Sequence, residues 1–284
     1  MISGGVASAT LILIYLNMKG EHLMARICPL FSSSSGNSTY IKDKDSGILV
    51  DVGVSYKSLC EALEKSGGDI GTVKAVCITH EHTDHIKGLS TLLKKTGIPL
   101  ITSEKTAATL DNAGVIPSGT SVIIPDNGTE IGDFGISRFA TSHDCDGSSG
   151  YNIFLKDGRK ISVCTDLGIV TDDVREHLSG SEAIVFESNH DVEMLRRGPY
   201  PPQLKLRILS DKGHLSNVAC ASELPYLLKN GTTRFILAHL SMHNNLPMLA
   251  KSASAAALGA VGAKADEDYI LTVAKPSGNG VTAI

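Results

Sequence analysis

The β-prone run V-K-A-V-C-I, Val73 to Ile78, ends directly in T-H-E-H-T-D-H, Thr79 to His85. Three histidines and an aspartate therefore fall within six residues at the mouth of a predicted strand. Imidazole and carboxylate are borderline-to-hard ligands that suit Zn, Mn or Fe. An abrupt exit from a strand lets His80 and His82 point the same way, while Asp84 and His85 follow at a helix start and can face a second metal. A solvated polar loop is the bland alternative, but this spacing is rarely accidental.

Composition bounds the rest. The chain has 284 residues, 42% of them hydrophobic and 20% charged, enough to bury a full core without disulfides. Disordered, collagen-like and coiled-coil architectures are excluded. The net charge of -4 gives no global attraction to phosphate. The absence of tryptophan and a 5% aromatic content argue against a surface that grips single strands by base stacking. Cys28, Cys60, Cys77, Cys145, Cys164 and Cys220 contain no C-x-x-C pair and read as reduced thiols of a cytoplasmic protein. The longest apolar run, Val6 to Leu16, is too short to span a bilayer and lacks the basic start of a secretory signal. Residues 1–23 are expected to form an extension outside the fold, and residues 24–284 a single domain.

Short apolar runs alternate with helical patterns from Arg26 onward. Strands are predicted at Ile27–Phe31, Thr39–Lys42, Ile48–Asp51, Val73–Thr79, Ile98–Thr102, Ser121–Pro125, Ile136–Ala140, Tyr151–Leu155, Lys160–Cys164, Ala183–Glu187, Arg234–Ala238 and Tyr269–Ala274. Helices are predicted at Tyr56–Lys65, Ile86–Lys95, Glu104–Asn112, Asp172–Leu178, Leu215–Leu228 and Met248–Leu258. This mixed order suggests an α+β fold of packed sheets covered by helices.

His80-x-His82-x-Asp84-His85 resembles the H-x-H-x-D-H signature of the metallo-β-lactamase superfamily. The remaining family motifs occur in order: Asp51 in I-L-V-D-V-G, His143 in A-T-S-H-D-C, Asp166 in V-C-T-D-L-G and His239 in I-L-A-H-L-S. The resemblance implies a four-layered αββα sandwich with metals held by loops at one edge of two facing sheets. It implies one metal on His80, His82, His143 and Asp166, and another on Asp84, His85, His239 and the shared Asp166, with Asp51 buttressing the metal-binding loop. Two divalent ions so held would bring a bridging water's pKa to about 7, which points to hydrolysis. Asp166 stands where true zinc β-lactamases use cysteine, so a β-lactam substrate is not expected.

A second cluster concerns the bond that is cut. V-F-E-S-N-H-D holds Glu187 and His190, and S-D-K-G-H-L-S-N puts His214 at a predicted helix start. Phosphodiester cleavage needs protonation of a leaving alkoxide, which an imidazolium positioned by a carboxylate can supply. His214 resembles the corresponding histidine of the tRNase Z branch, and Glu187 the acidic residue that positions it. The plainer alternative is that His214 caps its helix and Glu187 ends a strand. Between them, Met194 to His214 carries Arg196, Arg197, Lys205, Arg207 and Lys212 against Asp211 alone, a local +4 suited to phosphate. The early loop F-S-S-S-S-G-N-S offers Ser35 and Asn37 as further phosphate contacts.

Taken together, S-S-G-N-S-T, T-H-E-H-T-D-H, E-S-N-H-D-V-E-M-L, G-H-L-S-N and L-A-H-L-S resemble the WalJ/YycJ (VicX) group of that superfamily. Ser33, where the group usually has glycine, is a departure from the pattern. The resemblance implies a cytoplasmic two-metal phosphodiesterase, a 5′-to-3′ exonuclease of double-stranded DNA linked to DNA repair. It also implies a functional link to a cell-wall two-component system. Asp84 would position the attacking hydroxide, Glu187, His190 and His214 would serve proton transfer, and DNA would be gripped by its backbone with little sequence specificity. A thioester substrate does not account for the Glu187–His190–His214 cluster. A tRNA 3′ trailer would call for a long substrate-holding arm, for which no obvious insertion exists, and the 73 positions between Asp166 and His239 leave no room for the inserted domain of β-CASP nucleases. Cyclic phosphodiesters and a non-catalytic metal-binding accessory are the other readings. His243 is read as a local residue rather than a ligand.

Overall fold

The computed structural model describes residues 25–278 and 282–284. The predicted extension at residues 1–23, with its apolar run, lies outside them. Among the described residues, no helix is long and apolar enough to cross a membrane.

Strands β1 (Arg26–Ser33), β2 (Gly36–Asp43), β3 (Ser46–Val50), β4 (Val73–Cys77), β5 (Leu100–Ile101) and β6 (Val122–Ile123) build the first sheet. Strands β7 (Thr129–Ile131), β8 (Phe134–Ala140), β9 (Ser149–Phe154), β10 (Lys160–Cys164), β11 (Ala183–Glu187), β12 (Arg234–Ala238) and β13 (Ile270–Val273) build the second. The last strand, β14 (Thr282–Ala283), returns to the first sheet beside β1. In each sheet an antiparallel half gives way to a parallel half, at β3–β4 in the first and β10–β11–β12–β13 in the second.

Side chains alternate across a strand, and here both faces are apolar. Ile48 and Val50 point into the cluster between the sheets, together with Ile136, Ile153, Val163 and Val185. Leu49 faces the other way, under α1 (Tyr56–Lys65), α2 (Thr83–Ile86), α3 (Leu89–Thr96) and α4 (Glu104–Asn112), which contribute Leu59, Leu63, Leu89, Leu92 and Leu110. Ile184 and Phe186 face outward likewise, beneath Val174 and Leu178 of α5 (Asp172–Leu178). After α6 (Val192–Arg197) and α7 (Pro202–Ile208), helices α8 (Asn217–Lys229) and α9 (Pro247–Ala260) complete that layer with Leu224, Leu227 and Leu258. The result is a four-layered αββα sandwich. Buried Tyr151 crosses from the second sheet to the first, and its hydroxyl donates to Ile78 O at 2.7 Å.

Helix starts follow side-chain capping. Ser55, Ser103, Thr171 and Ser216 each accept the backbone N–H three residues on, an interaction worth about 1 kcal/mol. Where the hydrophobic run is sharply bounded, as in Lys160–Cys164, Ala183–Glu187 and Arg234–Ala238, the predicted and observed strands coincide. The helix predicted at Ile86–Lys95 is divided instead, because Gly88 turns its N–H to Val52 O at 2.9 Å between α2 and α3. The strands predicted to reach Asp51 and Thr79 stop at Val50 and Cys77, since the following residues leave the ladder to form the site.

Residues Asp51, Thr79–His85, Asp166, Glu187 and His239 all sit at or just beyond the carboxyl ends of β3, β4, β10, β11 and β12. Parallel pairing brings those ends to one edge within each sheet, where α/β folds place ligand sites.

Candidate metal centre

Three of the residues that end these strands have left-handed backbones: Asp51 (φ 64°), Asp166 (φ 60°) and His239 (φ 55°). Such a conformation costs a non-glycine residue about 1–3 kcal/mol and persists only where the surroundings enforce it. Around Asp51 they do. Its Oδ1 accepts the Thr79 N–H at 2.9 Å, the Thr79 hydroxyl donates to the same carboxylate, and Oδ2 lies 2.7 Å from His85 Nδ1. The following chain is pressed onto the metal-binding loop: Val52 N–H donates to His85 O at 2.8 Å. A Cβ on Gly53 would lie 1.6 Å from Asp84 O, so only glycine fits there.

Ligand atoms of His80, His82 and His143 lie within 4.8 Å of one another, and those of Asp84, His85 and His239 do the same. Asp166 falls between these groups. It clusters with His80 and His85, with Oδ2 3.5 Å from His85 Nε2, and again with Glu187, His214 and His239. All seven residues named as ligands from the sequence are thus brought to one place.

Nearly every imidazole is aimed by its other nitrogen. His80 Nδ1 lies 3.0 Å from Thr79 Oγ1, His143 Nδ1 donates to Gly213 O at 3.1 Å, and His239 Nδ1 donates to Glu187 Oε1 at 2.8 Å. With His85 held by Asp51, four ligand histidines turn Nε2 toward the centre, the arrangement by which outer partners fix a ligand's tautomer and orientation. His80 Nε2, His239 Nε2 and Asp166 Oδ2 are buried and without a hydrogen-bond partner among the described residues. Three orphaned donor-set atoms at one point are what a pair of divalent cations would satisfy, so the residues fit two metals.

Charge supports that fit. Burial and the imidazoles of His85, His143 and His82 hold His80 well below the ordinary histidine range, in the neutral form that binds metal. Burial lowers His143 in the same way. At His85 burial also opposes charge, yet the carboxylates of Asp166 and Asp51 win and push it up to about 10. Burial would raise the Asp84 carboxyl, but His239 and His85 hold it well below the usual range. The centre is a negative potential lined with oriented nitrogens.

Beside it stands Glu187, fully buried. Oε1 accepts from His214 Nδ1 at 2.9 Å as well as from His239, and Oε2 accepts the backbone N–H groups of Leu167 and Leu215 at 3.0 and 3.1 Å. Against the effect of burial, these partners keep it ionised, far below its ordinary range. An ionised carboxylate only accepts, so His214 Nδ1 carries a proton and Nε2 is the nitrogen left for substrate. Burial lowers His214, but Glu187 outweighs it and the net shift is upward. His214 reaches this position because the chain behind it doubles back tightly. A Cβ on Gly213 would meet Ile208 O at 2.2 Å.

Other residues named from the sequence are placed differently. His190 is 1% exposed, both ring nitrogens lack partners among the described residues, and burial pulls it down to about 4. It is a neutral core histidine outside the ligand clusters, and not a proton carrier at the centre. Asn37 does not face open space for phosphate. Its amide nitrogen donates to Ser33 O at 3.0 Å and lies 3.2 Å from Asp84 Oδ2 and 3.1 Å from His85 Nε2, so it orients ligands. Ser35 is exposed at the β1–β2 turn.

The basic stretch is also less positive than its sequence window. Arg196 and Arg197 pair with Glu193 at 3.2 and 3.3 Å, Lys205 donates to Arg196 O, and Arg207 is held by Asp144, its Nε 2.5 Å from Oδ2. Glu193 and Asp144 both lie outside the window that gave +4. Lys212 is exposed. Two residues that the sequence did not assign to the site stand at the centre. Asp144 Oδ1 is 3.2 Å from His143 Nε2 and 3.7 Å from His82 Nε2, and Cys145 joins the cluster of His80, His82 and His143. Their adjacency to His143 was the signal available.

The profile of the metallo-beta-lactamase superfamily matches residues 33–215. The chain is 38% identical over 224 residues to exodeoxyribonuclease YycJ of Bacillus anthracis, covering 78% of this chain and 84% of the relative. It is 39% identical over 225 residues to exodeoxyribonuclease WalJ of Streptococcus pneumoniae serotype 2 (strain D39 / NCTC 7466), covering 78% and 83%. Its fold is similar to that of the metallo-beta-lactamase fold protein YhfI from Bacillus subtilis, with a TM-score of 0.68 at 16% identity over 91% of this chain and 98% of that one. The chain belongs to the metallo-beta-lactamase superfamily, and within it to the group of the YycJ and WalJ proteins.

Proposed function

We propose that this protein is a two-metal-dependent phosphodiesterase acting as an exodeoxyribonuclease on double-stranded DNA. The observation that carries the reading is the Glu187–His214 pair, a charged acid–base couple beside seven convergent metal ligands. The names of the YycJ and WalJ relatives support the substrate.

One ion would be held by His80, His82, His143 and Asp166, the other by Asp84, His85, His239 and Asp166. Zn and Mn both suit this set and Fe is admitted by it. When bound, such ions supply Lewis acidity and a nucleophile at neutral pH. The chain supplies the rest. Asp51 and Thr79 fix the loop that carries the ligands. Glu187 keeps His214 charged and aligned, and His214 Nε2 gives its proton to the departing sugar oxygen. Asn37 holds Asp84 in register. No base-reading element is part of this arrangement, which suits digestion without sequence preference.

Digestion from the 5′ end, a place in DNA repair, action in the cytoplasm and a link to a two-component system extend this reading by resemblance to the group. The six free cysteines accord with a reducing compartment. The test is digestion of end-labelled duplex and single-stranded DNA with Zn, Mn or Fe in turn. Metal-dependent release of label from linear duplex, abolished by chelator and by His82→Ala, is expected. Activity that survives both would refute the metal role.

A further inference from the structure

Beside His143 and His214 a cavity of about 170 Å³ opens, walled by Tyr200, Leu204, Arg207 and Ile208. Leu204 and Ile208 are four apart on α7 and so share one face of it. The Tyr200 ring is steadied by His243, edge to face with centroids 5.9 Å apart. The Arg207 guanidinium is tied to Asp144. A cavity of about 150 Å³ is enough to take a benzene ring, so this one has room for a single flat heterocycle, and Ser34, Asn189 and Ser241 in its wall offer polar partners to a base edge. Its mixed lining of aromatic, aliphatic and polar side chains suits a nucleobase, and its position suits whichever side of the scissile bond receives the proton of His214.

Resting on the phosphodiesterase reading above, we propose that this cavity is the subsite for the terminal deoxynucleoside of a DNA strand. The step balances as follows. A water oxygen adds to phosphorus, the bond from phosphorus to the sugar oxygen of the terminal nucleoside breaks, and that oxygen takes the proton of His214. The water's surplus proton passes to solvent, and the phosphate stays on the shortened strand. Because the pocket beside the proton donor has room for one base only, it seats the last base of a strand and favours release of single units from a strand end.

The experiment uses the metal-loaded full chain, with linear duplex DNA and bis(p-nitrophenyl) phosphate as paired substrates and thymidine 5′-monophosphate as inhibitor. Leu204→Trp fills the cavity. It is expected to lower the ratio of DNA turnover to small-diester turnover by about tenfold or more, and to weaken inhibition by the mononucleotide to a similar extent. Ile208→Phe fills the same space from one turn along and decides the matter if the tryptophan disrupts folding. An unchanged ratio and unchanged inhibition in a folded variant would overturn the proposal. If the wild type cleaves the small diester but not DNA, the exodeoxyribonuclease reading fails, while inhibition by thymidine monophosphate still decides what the pocket binds.

Discussion

The Nδ1 of His214 lies 2.9 Å from Oε1 of Glu187, a carboxylate sealed from solvent at the carboxyl end of a central strand. The same oxygen accepts from His239, so one acid aligns both the proposed proton donor and a proposed metal ligand.

Removing the donor separates the two roles. His214→Ala is expected to lower turnover of duplex DNA by about 10²–10⁴-fold while metal content, read by elemental analysis, stays at the wild-type level. Hydrolysis of bis(p-nitrophenyl) phosphate should suffer much less, because nitrophenolate departs without a proton. Equal losses on both substrates would contradict a general-acid role.

Asp51 acts at one remove from the centre. Asp51→Ala leaves the Thr79 N–H and His85 Nδ1 without their acceptor in a buried setting. Metal affinity is expected to fall about 10–100-fold in a chelator competition. Denaturant unfolding should show a loss of about 1–3 kcal/mol.

How far the sequence carried the account differs by residue. The convergence of the candidate ligands was legible because His80 to His85 fall together and Asp166 and His239 follow apolar runs whose ends are sharp. The pairing of His214 with Glu187 was legible from the two motifs that carry them. His190 was not, since burial is a property of the packed chain, and His190 feels the charges of Glu187 and His214 without a hydrogen bond from its ring to either. The short strand Thr129–Ile131 has too few residues to show a period, and α6 and α7 were hidden inside a stretch read for its charge. Their start signals were nonetheless present, Asp191 capping one and Pro202 opening the other. Asn37, Asp144 and Arg207 found partners far away in the chain, which a local window does not show.

His190 gives stability a pH dependence. Its folded pKa, about 4, is below that of an unfolded histidine near 6.5, so the unfolded chain takes up a proton first as pH falls. Its neutral, buried state contributes fully above about 6.5 and loses ground between 6.5 and 4, by about 3 kcal/mol at most. In His190→Gln this slope should flatten over that window. Urea unfolding of both proteins across the range measures it, and parallel curves would contradict the assignment.

The thiols report on the ligand cluster directly. Cys60 and Cys145 are partly exposed and the other four cysteines are buried. In chelator-treated protein, iodoacetamide should modify Cys60 first and Cys145 more slowly, since burial and the carboxylates of Glu81 and Asp144 push the Cys145 thiol up to about 12. Zinc should then protect Cys145, which sits among His80, His82 and His143, and leave Cys60 reactive. Peptide mass spectrometry reads both sites in one sample, with Cys60 as the internal control.

The central claim, a hydrolytic centre of two metals acting on DNA, is tested most directly by titrating metal-stripped protein with Mn or Zn while following hydrolysis of linear duplex DNA. Activity should be absent at the start and rise to a break at two equivalents of metal per chain, as a two-metal site requires. Hydrolysis by the stripped protein, or a fully loaded protein that leaves duplex DNA intact, would contradict the account.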